Sequence, residues 1–176
     1  MRTLLISFDR SVLPALHEGR KTVTRRRISR ASGLQETPEC HAFAGMEASM
    51  ALFNVTGAGD GTTVRIHCPF GVPGQLLRVQ EAPGLTLRVV RVRAEPVRGV
   101  TEADALAEGL VECLRGEAQP AAGRWFGLWG MPDTGRPHAS GVEAFRSLLT
   151  TFYPTAWERN EWMWVVEFER VLLAAR

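Results

Sequence analysis

The chain has 176 residues, 45% of them hydrophobic, with a formal net charge of +2; these proportions suit one globular domain over residues 1–176 with a continuous buried core. There is no run of about eighteen apolar residues, and the N-terminus lacks a secretory leader pattern. A helical membrane protein is excluded, and the expectation is a cytoplasmic protein with no membrane partner.

Residues 3–8 alternate and are rich in Leu and Ile, which predicts a first strand. Asp9 is a candidate cap for a following helix, with Val12, Leu13 and Leu16 as its apolar stripe and Gly19 as its stop. Residues 20–27 then carry β-branched residues in an alternating pattern that suits extended chain. On an ideal strand Lys21 and Thr24 face opposite sides, and a bulge or turn would bring them together. Residues 29–61 collect Gly, Ser, Thr and Pro without a stable period and are expected to form a long excursion.

Residues 63–67 and 75–80 read as strands on either side of a turn-forming hexapeptide, residues 69–74. Residues 85–97 form a longer alternating strand whose arginines, Arg88, Arg91 and Arg93, face either solvent or a polyanion. Thr101 with Asp104 three residues on has the form of a capping box before a short helix that ends at Gly109. Residues 118–141 are Gly- and Pro-rich and are expected to form a second excursion, with Trp125 and Trp129 as candidate stacking surfaces. Residues 142–153 show helical spacing of Val142, Phe145, Leu148, Leu149 and Phe152. Residues 162–172 alternate as a closing strand with one face in the core, where Trp162 and Trp164 are expected.

Cys40, Cys68 and Cys113 are odd in number and widely spaced, so reduced thiols are expected. The histidines are equally scattered, and no metal or other cofactor is expected. Two features point to chemistry. Six basic residues fall between Arg20 and Arg30, an anion-attracting segment. Within it lies Lys21, the single lysine among 21 basic residues. Arginine is never deprotonated in a protein, whereas a buried lysine can lose its proton and serve as a base.

The segment containing Lys21, Thr22, Thr24 and Arg26 resembles the G-x-K-T-x-T-x-R signature of the ASCH domain family. Four further stretches resemble the family in order: residues 69–81, residues 101–109, Phe145 with residues 153–157, and residues 162–171. Gln75, Leu77 and Gln80 stand where many relatives have Asp, Trp and Arg, and the stretch after Glu81 is shortened. The resemblance covers nearly all of the chain outside the two excursions. It implies an α+β fold, a PUA-like mixed and mainly antiparallel β-barrel with a few flanking helices. The chain is similar also to the branch that removes the acetyl group from N4-acetylcytidine, which implies Lys21, Thr24 and Glu108 as catalytic residues. There Lys21 would be the base, Thr24 the nucleophile or its positioner, and Glu108 the acid for the leaving amine. Arg20, Arg25, Arg26, Arg78 and Glu81 are the accompanying candidates for binding a nucleoside or RNA. An RNA-binding module and a metal-independent ribonuclease are the alternatives.

Overall fold

A computed structural model describes residues 2–57, 61–114, 124–128 and 138–171. It is a mixed α+β structure whose strands are mostly antiparallel. β1 (Leu4–Ile6) leads to Asp9, whose carboxylate accepts from the Ser11 amide at 2.9 Å and opens a single 3-10 turn that runs into α1 (Leu13–His17). Gly19, at φ +74°, stops the helix in a conformation that suits glycine, and the chain continues into β2 (Val23–Arg27).

The main sheet has five strands in the order β1, β6 (Leu76–Val79), β7 (Thr86–Pro96), β10 (Trp162–Val171), β2. Only the β1–β6 pair in it is parallel. Among the described residues the sheet is open, with β1 and β2 at its edges. The β7–β10 ladder shifts register between Glu167 and Phe168, so Val90 has no opposite residue and is exposed while Val89 is buried. Facing the ladder's solvent side, Arg88 pairs with Glu169 at 3.0 Å, and Arg93 pairs with Glu95 and Glu167. Most of that arginine face is therefore neutralised within the sheet.

β10 differs from its expected one-sided pattern, because residues 162–166 are buried on both faces. Trp162, Trp164, Val166 and Phe168 join one core, and Met163 joins a second built with Val97, Phe145 and Leu149. A central strand covered on both sides loses the polar alternation that a half-exposed strand needs.

The expected excursion over residues 29–61 is overturned. β3 (His41–Glu47), β4 (Met50–Val55) and β5 (Thr63–His67) form a three-stranded antiparallel sheet, preceded by two short 3-10 turns. Its pattern is hidden by a register shift between Phe43 and Gly45, with Gly45 at φ +142°, and by a hairpin turned on Ala48 at φ +51° rather than on Gly or Asn. The sheet is fastened by Phe53, fully buried with its ring centroid 5.0 Å from that of Trp162; burying such a side chain contributes ~1.5–3 kcal/mol. Cys68 is buried in this region and burial pushes its thiol up to about 11, so it packs as an inert apolar group. Cys40 and Cys68 are both free.

The second expected excursion, residues 118–141, is also partly overturned. β8 (Leu110–Leu114) pairs with β9 (Arg124–Leu128) as a two-stranded antiparallel sheet. Residues 118–123 and 129–137, Trp129 among them, lie outside the described residues. Ahead of β8, Thr101 and Asp104 form the reciprocal capping box that starts α2 (Glu102–Ala107). α3 (Gly141–Phe152) packs on α2, and the Glu102 carboxylate accepts from the Gly141 and Val142 amides at 2.6 and 3.2 Å. A carboxylate at a helix N-terminus satisfies its free amides and opposes its dipole. α4 (Ala156–Arg159) ends at Asn160 in the left-handed conformation and feeds β10. No helix among the described residues is long and apolar enough to cross a membrane.

Candidate active site

Lys21 lies just before β2 rather than on it, its amide bonded to the Ala15 carbonyl at 3.0 Å while the Thr22 amide reaches Ala107 at 2.9 Å. That turn from the end of α1 into the edge strand settles the facing question. Lys21 and Thr24 line the same cleft, together with Arg25, Arg26 and Glu108. Glu108 arrives from 87 residues away as the C-cap residue just past α2. Gly109, at φ +99°, lets this helix end lie close, because a Cβ there would stand 3.2 Å from the Lys21 Cβ and 3.0 Å from the Ala15 Cβ.

The Lys21 ammonium is 5% exposed as a residue and donates three hydrogen bonds: to the Val23 carbonyl at 2.9 Å, the Glu108 carbonyl at 2.8 Å and the Glu108 Oε2 at 2.7 Å. None of the three goes to Thr24, which is 4% exposed beside it. Burial lowers the Lys21 pKa most strongly; Glu108 opposes this by charge and hydrogen bond, Arg26 and Arg25 reinforce it, and the net direction is downward.

Arg25 has a side chain 1% exposed and is surrounded by carboxylates, with Asp104 at 3.0 Å, Glu95 at 3.3 Å and the Glu108 Oε1 at 3.4 Å. It is a holder of Glu108 rather than a free contact for a ligand. Arg26 differs. Its guanidinium lies 5.1 Å from the Phe8 ring centroid and bonds the Ser7 carbonyl, while its Nε is covered and has no acceptor among the described residues. A covered donor without a partner costs ~1–3 kcal/mol.

The cleft holds about 110 Å³, small beside the ~300–1,000 Å³ of drug-sized ligand sites, and so suits one ring with a short substituent. Phe8 and Val12 form one wall; Phe145, Leu149, Phe152 and Tyr153 form the other. Phe152 is 52% exposed, an unusual position for a large apolar ring on the surface. A larger hollow of about 480 Å³ lies over Glu143, Arg146 and Thr150 on α3, but it is open and none of these residues is buried.

Of the remaining sequence candidates, Glu81 is exposed, accepts from Ser7 Oγ at 2.5 Å and the Phe8 amide at 2.9 Å, and so fixes the Phe8 wall from behind. Those two hydrogen bonds hold its carboxyl below the usual range. Arg20 bonds Glu18 at 2.6 Å and the Gly109 carbonyl at 3.3 Å at the cleft's margin. Arg78 is exposed on β6 and is not brought to the cleft. Trp162 and Trp164 are core residues, 5% and 2% exposed. The sequence reading missed the aromatic wall, because an apolar stripe on α3 has the same spacing whether it meets a core or a cleft. Among the described residues no group of three or more His, Cys, Asp or Glu converges as metal ligands.

Comparisons of the chain with protein-family profiles, with curated proteins and with solved structures give no match.

Proposed function

We propose that the chain is a hydrolase of the amide in N4-acetylcytidine-like nucleosides, an ASCH-type protein of PUA-like architecture. The observation that carries this reading is the buried Lys21–Glu108 contact of 2.7 Å at the floor of a small cleft with aromatic walls, beside Thr24. The architecture is supported by the ordered sequence resemblance and by a mixed five-stranded sheet flanked by smaller ones.

The pair supplies both halves of an acyl transfer. Moving one proton across the 2.7 Å bond converts the ion pair to a neutral amine beside a neutral carboxylic acid. The amine takes the proton of the Thr24 hydroxyl as its oxygen attacks the acetyl carbon, and the carboxylic acid protonates the departing cytosine N4 as the C–N bond breaks. Lys21 is then an ammonium and Glu108 a carboxylate, which is the ground-state ion pair again. Water repeats the sequence on the acetyl-Thr24 ester, with Lys21 taking its proton and Glu108 returning one to Thr24, and acetate leaves. Arg26, which lines the cleft while Arg25 is held by carboxylates, is the oxyanion donor in this reading. The neutralised arginines of β7 argue against a long polyanion track along that strand.

The experiment offers N4-acetylcytidine and unmodified single-stranded RNA in parallel. Cytidine and acetate from the first, with the second intact, support the proposal; cleaved RNA with intact N4-acetylcytidine overturns it in favour of a ribonuclease.

A further inference from the structure

At the far end of β2 from Thr24, Arg27, Arg30 and Arg159 converge on Glu161, which is 0% exposed. Their nitrogens stand 3.6, 3.7 and 3.7 Å from its carboxylate, longer than the ~2.7–2.9 Å of a tight charge-assisted hydrogen bond. Glu161 Oε2 has no hydrogen-bond partner among the described residues, and Oε1 accepts only a long bond from Thr155 at 3.4 Å. Glu161 is the only carboxylate within ion-pair distance of these three arginines among the described residues, so one negative charge faces three positive ones.

The guanidiniums are positioned but not used up. Arg30 is steadied by Thr155 Oγ1 at 3.1 Å and Arg159 by the Gln35 carbonyl at 2.5 Å, while their side chains remain 60% and 45% exposed. Arg27 connects this cluster to the cleft. Its guanidinium lies 4.8 Å from the Tyr153 ring centroid, and Tyr153 is part of the cleft wall. Arg27 lies three residue steps beyond Thr24 on β2, about 10 Å of chain at ~3.3 Å per residue, within the span of a short nucleotide chain.

We propose that Arg27, Arg30 and Arg159, organised by the buried Glu161, bind a phosphate group of the substrate, so that the natural ligand is a nucleotide rather than a free nucleoside. This rests on the nucleoside reading of the cleft. The excess of two positive charges over Glu161 matches a phosphate, and the exposed sides of the Arg30 and Arg159 guanidiniums can donate to its oxygens. The phosphate belongs either to the nucleotide in the cleft or to its neighbour in a chain.

The test measures binding of N4-acetylcytidine, its 5′-monophosphate and a trinucleotide carrying it centrally. The proteins are wild type, Arg30→Ala, and Arg30→Ala/Arg159→Ala, with melting temperatures as a check on folding. Arg30→Ala alone removes the most exposed of the three side chains and provides a folded variant should the double one unfold. The expected result is a tenfold or greater loss of affinity for a phosphate-bearing ligand in the double variant, a smaller loss in Arg30→Ala, and unchanged affinity for the nucleoside. The log–log salt slope should also fall by ~0.7 for each phosphate that the variant no longer neutralises. Loss with both phosphorylated ligands assigns the nucleotide's own phosphate; loss with the trinucleotide alone assigns its neighbour's. Wild-type affinity and salt slope for both phosphorylated ligands in the folded variants overturn the proposal. If wild type ignores the nucleoside but the trinucleotide still loses affinity in the variants, the phosphate site stands and the amide reading fails.

Discussion

Lys21 Nζ and Glu108 Oε2 meet at 2.7 Å in a site where their side chains are 4% and 6% exposed, the one lysine of the chain against a carboxylate from a helix end 87 residues away. Lys21→Met leaves the buried Glu108 with only the longer Arg25 contact at 3.4 Å and is expected to cost up to ~3–5 kcal/mol of stability. Lys21→Met/Glu108→Leu is expected to recover part of that loss. Urea denaturation of both singles and the double closes the cycle.

Lys21 also sets a pH dependence whose sign follows from its lowered pKa. Between the native value and the ordinary 10.5, the unfolded chain holds more protons at this position than the folded one. Its contribution to stability therefore increases as pH rises through that window. Under the proposed mechanism, activity moves the other way there. The working pair needs one shared proton, so turnover is expected to fall along an alkaline limb centred below 10.5. A pH–rate profile of the wild type measures that limb.

Thr101 and Asp104 hold the start of the helix that delivers Glu108. Thr101→Ala is expected to cost ~0.5–2 kcal/mol, the usual effect of removing an N-cap, and to reduce turnover by loosening Glu108. Burial raises the Asp104 pKa, but the Thr101 hydrogen bonds and Arg25 together outweigh it and the net shift is downward. The stability linked to Asp104 is thus present above 3.8 and is lost as pH falls through its native value. Denaturation curves at neutral and acid pH, with and without Thr101→Ala, report it.

Phe152 lines the cleft while staying half exposed, so its ring is available to a flat base. Base–aromatic stacking contributes ~1–3 kcal/mol, and Phe152→Ala is expected to raise KM by roughly five- to hundredfold with little change in melting temperature. Steady-state kinetics and a thermal melt distinguish this from a structural role.

Much of the fold and site was legible in local signals: the Asp9 cap, the Thr101–Asp104 box, the long β7 and the lone lysine each have a sequence signature. The sheet of β3, β4 and β5 was not, because a bulge beside Gly45 and a turn on Ala48 break the alternation and the usual turn chemistry. The two-sided burial of β10 was hidden because Met163 and Val165 meet a second core that only the packing of α3 creates. Within the site, composition singled out only Lys21, the one lysine; Thr24 and Glu108 became candidates through the family resemblance. The exclusion of Arg78, the saturation of Arg25 and the Glu161 cluster depend on contacts between elements distant in sequence.

The most direct measurement is release of cytidine from N4-acetylcytidine by the wild type and by Lys21→Arg, Thr24→Ala and Glu108→Gln. Turnover by the wild type that falls at least a hundredfold in each variant, all three remaining folded, is the predicted result, in keeping with the ~10²–10⁴-fold contribution of a positioned acid or base. No turnover by the wild type, or turnover that survives in Lys21→Arg, contradicts the account.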